Sequence, residues 1–411
     1  MDRADLQTQI TELIGPGLTR LKSTAVVMGL VGAVLTAIGF FTKTQDAFQS
    51  YLFAYLFWAG ASIGSLGLLM LHHTVGGGWG WVLRRFLEAA TKLLFPMLVL
   101  FIPILLPGFL GIKTLYWADG GWANAAAAAD PILIQKAGWL NLPGFIVRTV
   151  IYFAIWIIYA GFLRKKAALL DQGHDPRAFD ALNRWAAFGL VVMVVTVTFA
   201  VVDWVMSLTP HWLSSIIGLL YCAAFCLTSI SLMLTLVGRL GGGTQLVQDG
   251  VPNKFFRDLG NFMLAMVMLW AYMTFSQYLI IYSGNLAEEV PWYLDRAKNG
   301  WGILSLGLII VHFALPFAIL IVSSGLKKSP RALGNLAMFI ALMRFLDLFW
   351  WVVPHFRNSL FDFNAADLGA PLLIGGIWLS LWAAAVERKP LVSAYDPRIE
   401  ANLHEVVSHH G

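Results

Sequence analysis

The chain has 411 residues, of which 58% are hydrophobic and only 12% are charged, and its formal net charge is +5. A soluble domain carries about 25% charged residues, so this composition excludes a water-soluble globular protein and indicates an integral membrane protein. An excess of Lys and Arg in a membrane protein reflects topology, so it does not indicate a nucleic-acid partner.

Ten segments are long and apolar enough to cross the hydrocarbon core as helices, which takes ~20 residues. In chain order they are 24–42, 51–71, 93–111, 142–163, 186–206, 213–237, 259–283, 301–322, 333–353 and 369–386. Their hydropathy does not alternate as barrel strands do. We therefore predict an all-α membrane domain over 24–386, preceded by an N-terminal segment, 1–23, and followed by a C-terminal tail, 387–411.

Lys and Arg are distributed unevenly among the loops. The N-terminus, the even-numbered loops and the C-terminus hold 20 of the 28, and the odd-numbered loops hold six. Arg148 and Arg344 fall inside spans. Because positively charged loops stay in the cytoplasm, we expect both termini to be cytoplasmic.

Residues 76–92 follow the second predicted span and have the pattern of an amphipathic helix. Three consecutive glycines are expected to end the span. Beyond them, charged side chains recur along one side of the predicted helix: Arg84, Arg85, Glu88 and Lys92. The pattern predicts an interfacial helix with its arginines near anionic lipid headgroups.

Ionisable residues inside spans are functional candidates, because a charge near the bilayer centre costs at least ~2.5–3.5 kcal/mol. Asp203, in "FAVVDWVMSLTPHW", lies in the outer half of the fifth span, and Ser207 and Thr209 follow it. Asp203 is either a carboxylate satisfied by a neighbouring arginine or a protonatable station in an outward half-channel.

Arg344 and Asp347 lie one turn apart in the ninth span. They are spaced to pair with each other at i,i+3. Alternatively, Arg344 holds Asp203, since both lie in the outer half by this topology.

Two further sites carry polar groups inside spans. His312 lies near the middle of the eighth span. Pro316 has no backbone N–H, so the backbone carbonyl of His312 loses the hydrogen bond that it would accept in a regular helix. A kink there makes room for water or a ligand. In the seventh span, polar side chains recur at neighbouring positions, either as contacts between helices or as support for a water chain: Tyr272, Ser276, Gln277 and Tyr278.

The sequence contains no recognisable set of ligands for a redox centre. Cys222 and Cys226 stand four residues apart in an apolar run, without a CxxC or Cys/His spacing, and His312 has no evident histidine partner at its depth. We expect no haem, no iron–sulfur cluster, no other metal and no catalytic residue in this chain.

Three stretches of the chain resemble a known family. "HHTVGGGWGWVLRRFLEA", "VDWVMSLTPHWLSS" and "ERKPLVSAYDPRIEANLHEVVSHH" are similar to the ActF subunit of bacterial alternative complex III, a quinol:electron-acceptor oxidoreductase. That subunit and its sister ActC are similar to the NrfD/PsrC membrane anchors. The resemblance covers nearly the whole chain.

The resemblance implies a fold and a set of partners. It implies two four-helix bundles plus two further helices in the bacterial cytoplasmic (inner) membrane. The implied partners are an ActC-like sister subunit, an iron–sulfur subunit and a multihaem cytochrome c subunit, besides lipid. It also implies a quinone or quinol, menaquinone or ubiquinone, that reaches this chain through the complex.

Three functional interpretations remain open from the sequence. The first is a non-redox subunit of a quinol-oxidising complex with a proton path; the others are a stand-alone secondary transporter and a purely structural membrane anchor. For the first, we predict a path from His72 or His73, which can shuttle protons near neutral pH, past His312 to Asp203, Arg344 and Asp347.

Overall fold

The computed structural model describes residues 3–110, 130–172, 175–240 and 253–387. Within these ranges the regular structure is helical, without a strand. They contain ten helical segments long and apolar enough to cross a membrane, numbered here as spans 1 to 10: Ile14–Thr42, Thr44–Val75, Val82–Phe109, Leu142–Asp171, Pro176–Leu208, Ile217–Leu240, Lys254–Gly284, Trp301–Val322, Pro330–His355 and Ala366–Glu387. The prediction of an all-α protein with ten apolar spans is confirmed.

Eight spans are built on one helix each: Arg3–Thr42, Thr44–Val75, Leu142–Gln172, Pro176–Trp204, Ile217–Leu240, Asn253–Gly284, Pro330–Val352 and Ala366–Glu387. Span 3 is divided into Gly78–Thr91, Leu94–Val99 and Ile102–Leu110. Span 8 consists of Trp301–Gly307, a π-helical turn Leu308–Ala314, and Leu315–Val322. Short helices connect the spans at Pro131–Lys136, Val290–Asp295 and Ser324–Lys328.

The ends of several helices follow from local sequence. Asp175 accepts hydrogen bonds from two backbone N–H groups of the first turn of span 5, and Pro176 occupies the first helical position. Ser329 and Pro330 begin span 9 in the same way. A proline costs nothing at this position, because its missing N–H would have no partner within the helix.

The structure describes most of the predicted N-terminal segment and almost none of the predicted C-terminal tail. The first helix begins at Arg3 and continues into span 1, so the described part of the predicted segment 1–23 is helical. The predicted tail 387–411 lies outside the described residues except for Glu387.

Span 2 is the central helix of the molecule. Its most apolar stretch is 100% buried, against 78% for span 6 and 67% for span 9, whereas spans 1, 7 and 8 bury only 22%. A methyl group added to Gly64 of span 2 would lie 2.0 Å from the carbonyl oxygen of Phe225 in span 6. Small residues thus let the central helices approach closely, as is usual between membrane helices.

The two ends of the described chain lie on the same side of the molecule. Spans 1 and 10 pack along each other, and Lys22 forms an ion pair with Glu387. This side is called the N-terminal side below. On the opposite side, Lys43 and Asp362 form an exposed ion pair of 2.7 Å, whose hydrogen bond raises the pKa of Lys43 and lowers the pKa of Asp362.

Candidate functional site

The six side chains predicted to carry protons lie in three separate groups, and each is at most 2% exposed. Asp203 lies near the opposite side, in span 5. His312, Arg344 and Asp347 lie in the middle part of spans 8 and 9, and the two histidines of span 2 lie at its N-terminal-side end. The structure therefore brings together only the middle group.

Asp203 is held by four hydrogen bonds from three side chains. Arg148 donates from Nε and Nη2 at 2.9 Å each, and Tyr152 and Trp139 each donate one at 2.9 Å. The guanidinium carbon of Arg148 also lies 4.1 Å from the centroid of the Trp139 ring. A bidentate, charge-assisted pair of this kind is strong and geometrically specific. It ties span 4 to span 5 and to the connection that precedes span 4.

The arginine that satisfies Asp203 is Arg148, so the alternative prediction that Arg344 holds Asp203 is wrong. The sequence itself indicates this pair. Arg148 lies near the start of span 4 and Asp203 near the end of span 5, so both are close to the same side of the molecule. The observed geometry matches the interpretation of Asp203 as a carboxylate satisfied by a neighbouring arginine.

Arg344 and Asp347 form an ion pair within span 9, as the i,i+3 spacing predicted. Arg344 also donates from Nε to the hydroxyl of Thr228 in span 6 at 3.4 Å. Its guanidinium carbon lies 5.7 Å from the ring centroid of Trp270 in span 7. The pair is therefore enclosed by three helices at the middle of the bundle.

His312 lies beside this pair. Its ring centroid is 4.1 Å from that of Trp270, so Trp270 is a common neighbour of His312 and the guanidinium of Arg344. Neither ring nitrogen of His312 has a hydrogen-bond partner within the described part of the chain. Span 8 is distorted here as Pro316 predicted, and the distortion takes the form of a π-helical turn.

Hydroxyl groups extend the middle group towards span 2. The hydroxyls of Ser65 in span 2 and Ser229 in span 6 are 2.7 Å apart and fully buried. Thr228, the residue before Ser229, accepts the hydrogen bond from Arg344. A row of polar side chains thus crosses from span 2 through span 6 to span 9.

The charged side chains of the predicted interfacial helix are buried, so the prediction that its arginines face lipid headgroups is wrong. The helix itself is present at Gly78–Thr91. Glu88 accepts from Arg84 at 3.0 Å and from Arg85 at 2.8 Å. Arg85 also pairs with Asp171 at the end of span 4. These charges join spans 3 and 4, because span 4, and not lipid, covers the side of the helix Gly78–Thr91 that carries them.

His72 and His73 lie at the predicted end of span 2, beneath that same helix. Their ring centroids are 5.4 Å apart, and the His72 ring centroid is 5.5 Å from that of Trp79. A methyl group on Gly80 would lie 1.9 Å from Nδ1 of His72. Gly80 therefore makes room for the histidine, which is enclosed and not open to water.

The polar residues predicted to follow Asp203 have separate roles. Ser207 donates to the backbone carbonyl of Asp203. Thr209 lies 2.6 Å from Nδ1 of His355, and Arg296 donates to Nε2 of the same histidine at 2.9 Å. Because Arg296 can only donate, Nε2 is the acceptor, and Nδ1 of the neutral ring carries the proton and donates it to Thr209.

Arg296 was not singled out from the sequence, and it closes the end of span 9. Its guanidinium donates to the carbonyl oxygens of Trp350 and Trp351, at 3.2 and 2.9 Å, and of Trp292 at 2.9 Å. The negative end of the helix dipole favours a cation at this place. Burial lowers the pKa of the Arg296 guanidinium, although an arginine stays protonated at neutral pH.

The polar residues of span 7 do not converge on one site. Gln277 is buried and accepts from Ser214 at 3.0 Å, whereas Ser276 is half-buried. Tyr272 and Tyr278 are 65% and 43% exposed, so they face the surroundings of this chain. Gln277 makes the predicted hydrogen bond to another segment, and the ring of Tyr278 packs against Tyr293 of the helix Val290–Asp295 at 5.3 Å between centroids.

Among the residues of the four described ranges, no group of three or more His, Cys, Asp or Glu side chains is placed to hold a metal ion. A comparison of the chain with protein-family models found no match, and neither did a comparison with curated proteins.

Proposed function

We propose that the chain is an integral membrane subunit of a quinol-oxidising electron-transfer complex of the alternative complex III type, respiratory or photosynthetic. It has no redox centre of its own and works beside an ActC-like subunit, an iron–sulfur subunit and a multihaem cytochrome c subunit. Its ten spans form two four-helix bundles plus two further helices in the bacterial inner membrane, with the N-terminal side in the cytoplasm. The three sequence motifs and the distribution of Lys and Arg support this proposal.

The proposed role of this subunit is to conduct protons, and the Arg344–Asp347 pair is the observation that carries it. Both side chains are 1% exposed in the middle of an apolar bundle, where charges are costly and mark ion and proton pathways. Polar side chains lead from the pair towards span 2, through Thr228 and the Ser65–Ser229 contact. Thr228 and Ser229 are adjacent in span 6 and do not face each other, so the proposed relay from one hydroxyl to the other runs through water.

The path is proposed to run from His72 or His73 to the middle group, with Asp203 as its station nearest the opposite side. Asp203 is already engaged by four hydrogen bonds from three side chains, which fix its position. Asp347 accepts from one residue of its own helix. We therefore place the central carrier at Asp347 and His312.

A secondary contact with menaquinone or ubiquinone is part of the proposal. The exposed face of span 7 carries aromatic side chains, Tyr272, Phe275 and Tyr278. Such rings suit contact with an isoprenoid tail. A photoaffinity quinone is expected to label the partner subunits more strongly than this chain.

The experiment that tests the proton role is Asp347→Asn in the assembled complex, reconstituted into vesicles. We expect proton uptake per electron to fall several-fold, since Asn cannot bind and release a proton. Asp362→Asn, which removes an exposed carboxylate on the opposite side, is the matched control and should leave uptake unchanged. The proton role is wrong if Asp347→Asn assembles normally and takes up as many protons as the wild type.

Co-purification separates this proposal from the alternatives. In mild detergent, a subunit of a redox complex is expected to elute with haem-containing and iron–sulfur partners. A secondary transporter would instead elute alone or as a homo-oligomer. A purely structural anchor would elute with partners but would not respond to Asp347→Asn.

A further inference from the structure

His312 is fully buried in the middle of span 8, and neither of its ring nitrogens has a hydrogen-bond partner within the described part of the chain. A neutral imidazole has one N–H donor and one acceptor nitrogen. Buried polar groups in native proteins are nearly always paired, with protein, ordered water or ligand. His312 therefore presents one donor and one acceptor that the surrounding side chains leave unsatisfied.

The side chains around His312 are polar enough to form a site. The Trp270 ring lies tilted beside the imidazole, with 4.1 Å between the ring centroids. The guanidinium carbon of Arg344 lies 5.7 Å from the centroid of the same Trp270 ring, and Arg344 pairs with Asp347. An aromatic wall, an imidazole and an ion pair are thus grouped at one depth of the membrane.

The backbone at this place is built differently from the rest of the spans. Residues Leu308–Ala314 form a π-helical turn, in which the N–H of Leu315 bonds to the carbonyl of Ile310 five residues back. A π-helical turn widens a helix, and such turns occur frequently at functional sites. Here the turn is the one that carries His312.

Apolar side chains close to His312 and Trp270 in the sequence are exposed. Ile309 and Ile310 of span 8 are 62% and 53% exposed, and Met268 of span 7 is 48% exposed. Span 7 packs mainly against the part of span 8 that follows the π-helical turn. The two helices that carry His312 and Trp270 therefore each present an apolar face to the surroundings of this chain.

We propose that His312 and Trp270 form a binding site for an oxygen-bearing ligand that both donates and accepts hydrogen bonds at the imidazole. The ligand is water or the hydroxyl group of a membrane-soluble molecule such as a quinol, because a hydroxyl both donates and accepts whereas a quinone carbonyl only accepts. The site does not depend on the proposed membership of a quinol-oxidising complex, since a bound water would satisfy His312 in a protein of any function.

Solid-state NMR of the full chain tests the site. The protein, labelled with ¹⁵N-histidine, is reconstituted into synthetic phosphatidylcholine bilayers, with and without a benzoquinol that carries a saturated ten-carbon tail and is kept reduced by dithionite. The His312 signals are identified by their complete loss in His312→Phe, or in His312→Gln if the first variant does not fold. His211→Phe removes an exposed histidine that pairs with Asp130 and is the control that leaves these signals unchanged.

The expected result is that both ring nitrogens of His312 have the chemical shifts of a hydrogen-bonded neutral imidazole. Transfer of polarisation from water protons, equal in the two samples, identifies water as the ligand. Shifts that change only when the quinol is added, without transfer from water, identify the membrane-soluble molecule. The proposal is overturned if both nitrogens keep the shifts of a free imidazole in both samples.

Discussion

Replacing Asp203 by alanine is expected to be among the most destabilising single changes in this chain. The carboxylate is 0% exposed and accepts four hydrogen bonds of 2.9 Å, two of them from Arg148. Hydrogen bonds to charged groups contribute ~1.5–3 kcal/mol each, without simple additivity. Removing one member of a buried ion pair costs ~3–5 kcal/mol in total, because the other charge is left unpaired.

The two members of the pair are expected to differ in cost. The side chain of Arg148 is 16% exposed, so it regains some hydration when Asp203 is removed, and Asp203→Ala should cost about 3 kcal/mol. Arg148→Met leaves a carboxylate with no exposure and should cost about 5 kcal/mol. The double variant should be less destabilised than the sum of the two by at least ~2 kcal/mol, because neither charge remains.

The measurement is equilibrium unfolding of the purified protein in mixed micelles, followed by circular dichroism. Asp362→Ala removes the exposed partner of Lys43 and is the control, with an expected cost within ~1 kcal/mol. The reasoning is refuted if Asp203→Ala is no more destabilising than this control. It is also refuted if the two single changes simply add in the double variant.

Three further outcomes are expected. Gly64→Ala should destabilise the protein by at least ~1–3 kcal/mol, because its methyl group would lie 2.0 Å from the carbonyl of Phe225, whereas Gly161→Ala, with no neighbour within 4 Å, should be neutral or stabilising in the same unfolding assay. Burial lowers the pKa of Lys327 in the folded protein below its ordinary value of 10.5. Between the folded-state pKa and 10.5, the folded protein therefore binds fewer protons at this residue than the unfolded chain does. The contribution of Lys327 to stability rises with pH across that window. In thermal unfolding scans at several pH values, Lys327→Met should remove this contribution, whereas Lys328→Met, at an exposed lysine, should keep it. Equal slopes of stability against pH in the two variants would contradict the assignment. The chain purified alone should show no Soret band and no protein-bound iron, and a stoichiometric haem signal would overturn that prediction.

Several contacts of the site were predictable because they lie within one helix. Arg344 and Asp347 pair at i,i+3, and Arg84 and Glu88 pair at i,i+4, so helical periodicity alone brings each pair together. The distortion of span 8 was predictable in the same way, since Pro316 lacks the N–H that a regular helix needs.

Contacts between helices were not predictable in this way. Asp203 is held by Arg148, 55 residues earlier, and no periodicity states which face of span 4 meets span 5. The burial of Arg85 against Asp171 depends on how the helix Gly78–Thr91, which carries Arg85, packs against span 4. The sequence pattern placed this arginine at lipid headgroups and offered Arg344 as an alternative partner of Asp203, whereas the structure supplies Asp171 and Arg148.

The sequence by itself determined the class, the number and the approximate bounds of the spans, because the hydrocarbon core requires long apolar helices whatever their neighbours are. Only the tertiary structure decided which faces are inside. In water, apolar side chains mark the buried face of a helix, but in lipid both faces are apolar, and hydropathy no longer distinguishes them. Tyr272 on the surface and His312 in the interior both lie in apolar spans, and packing assigns one to the surroundings and the other to the site.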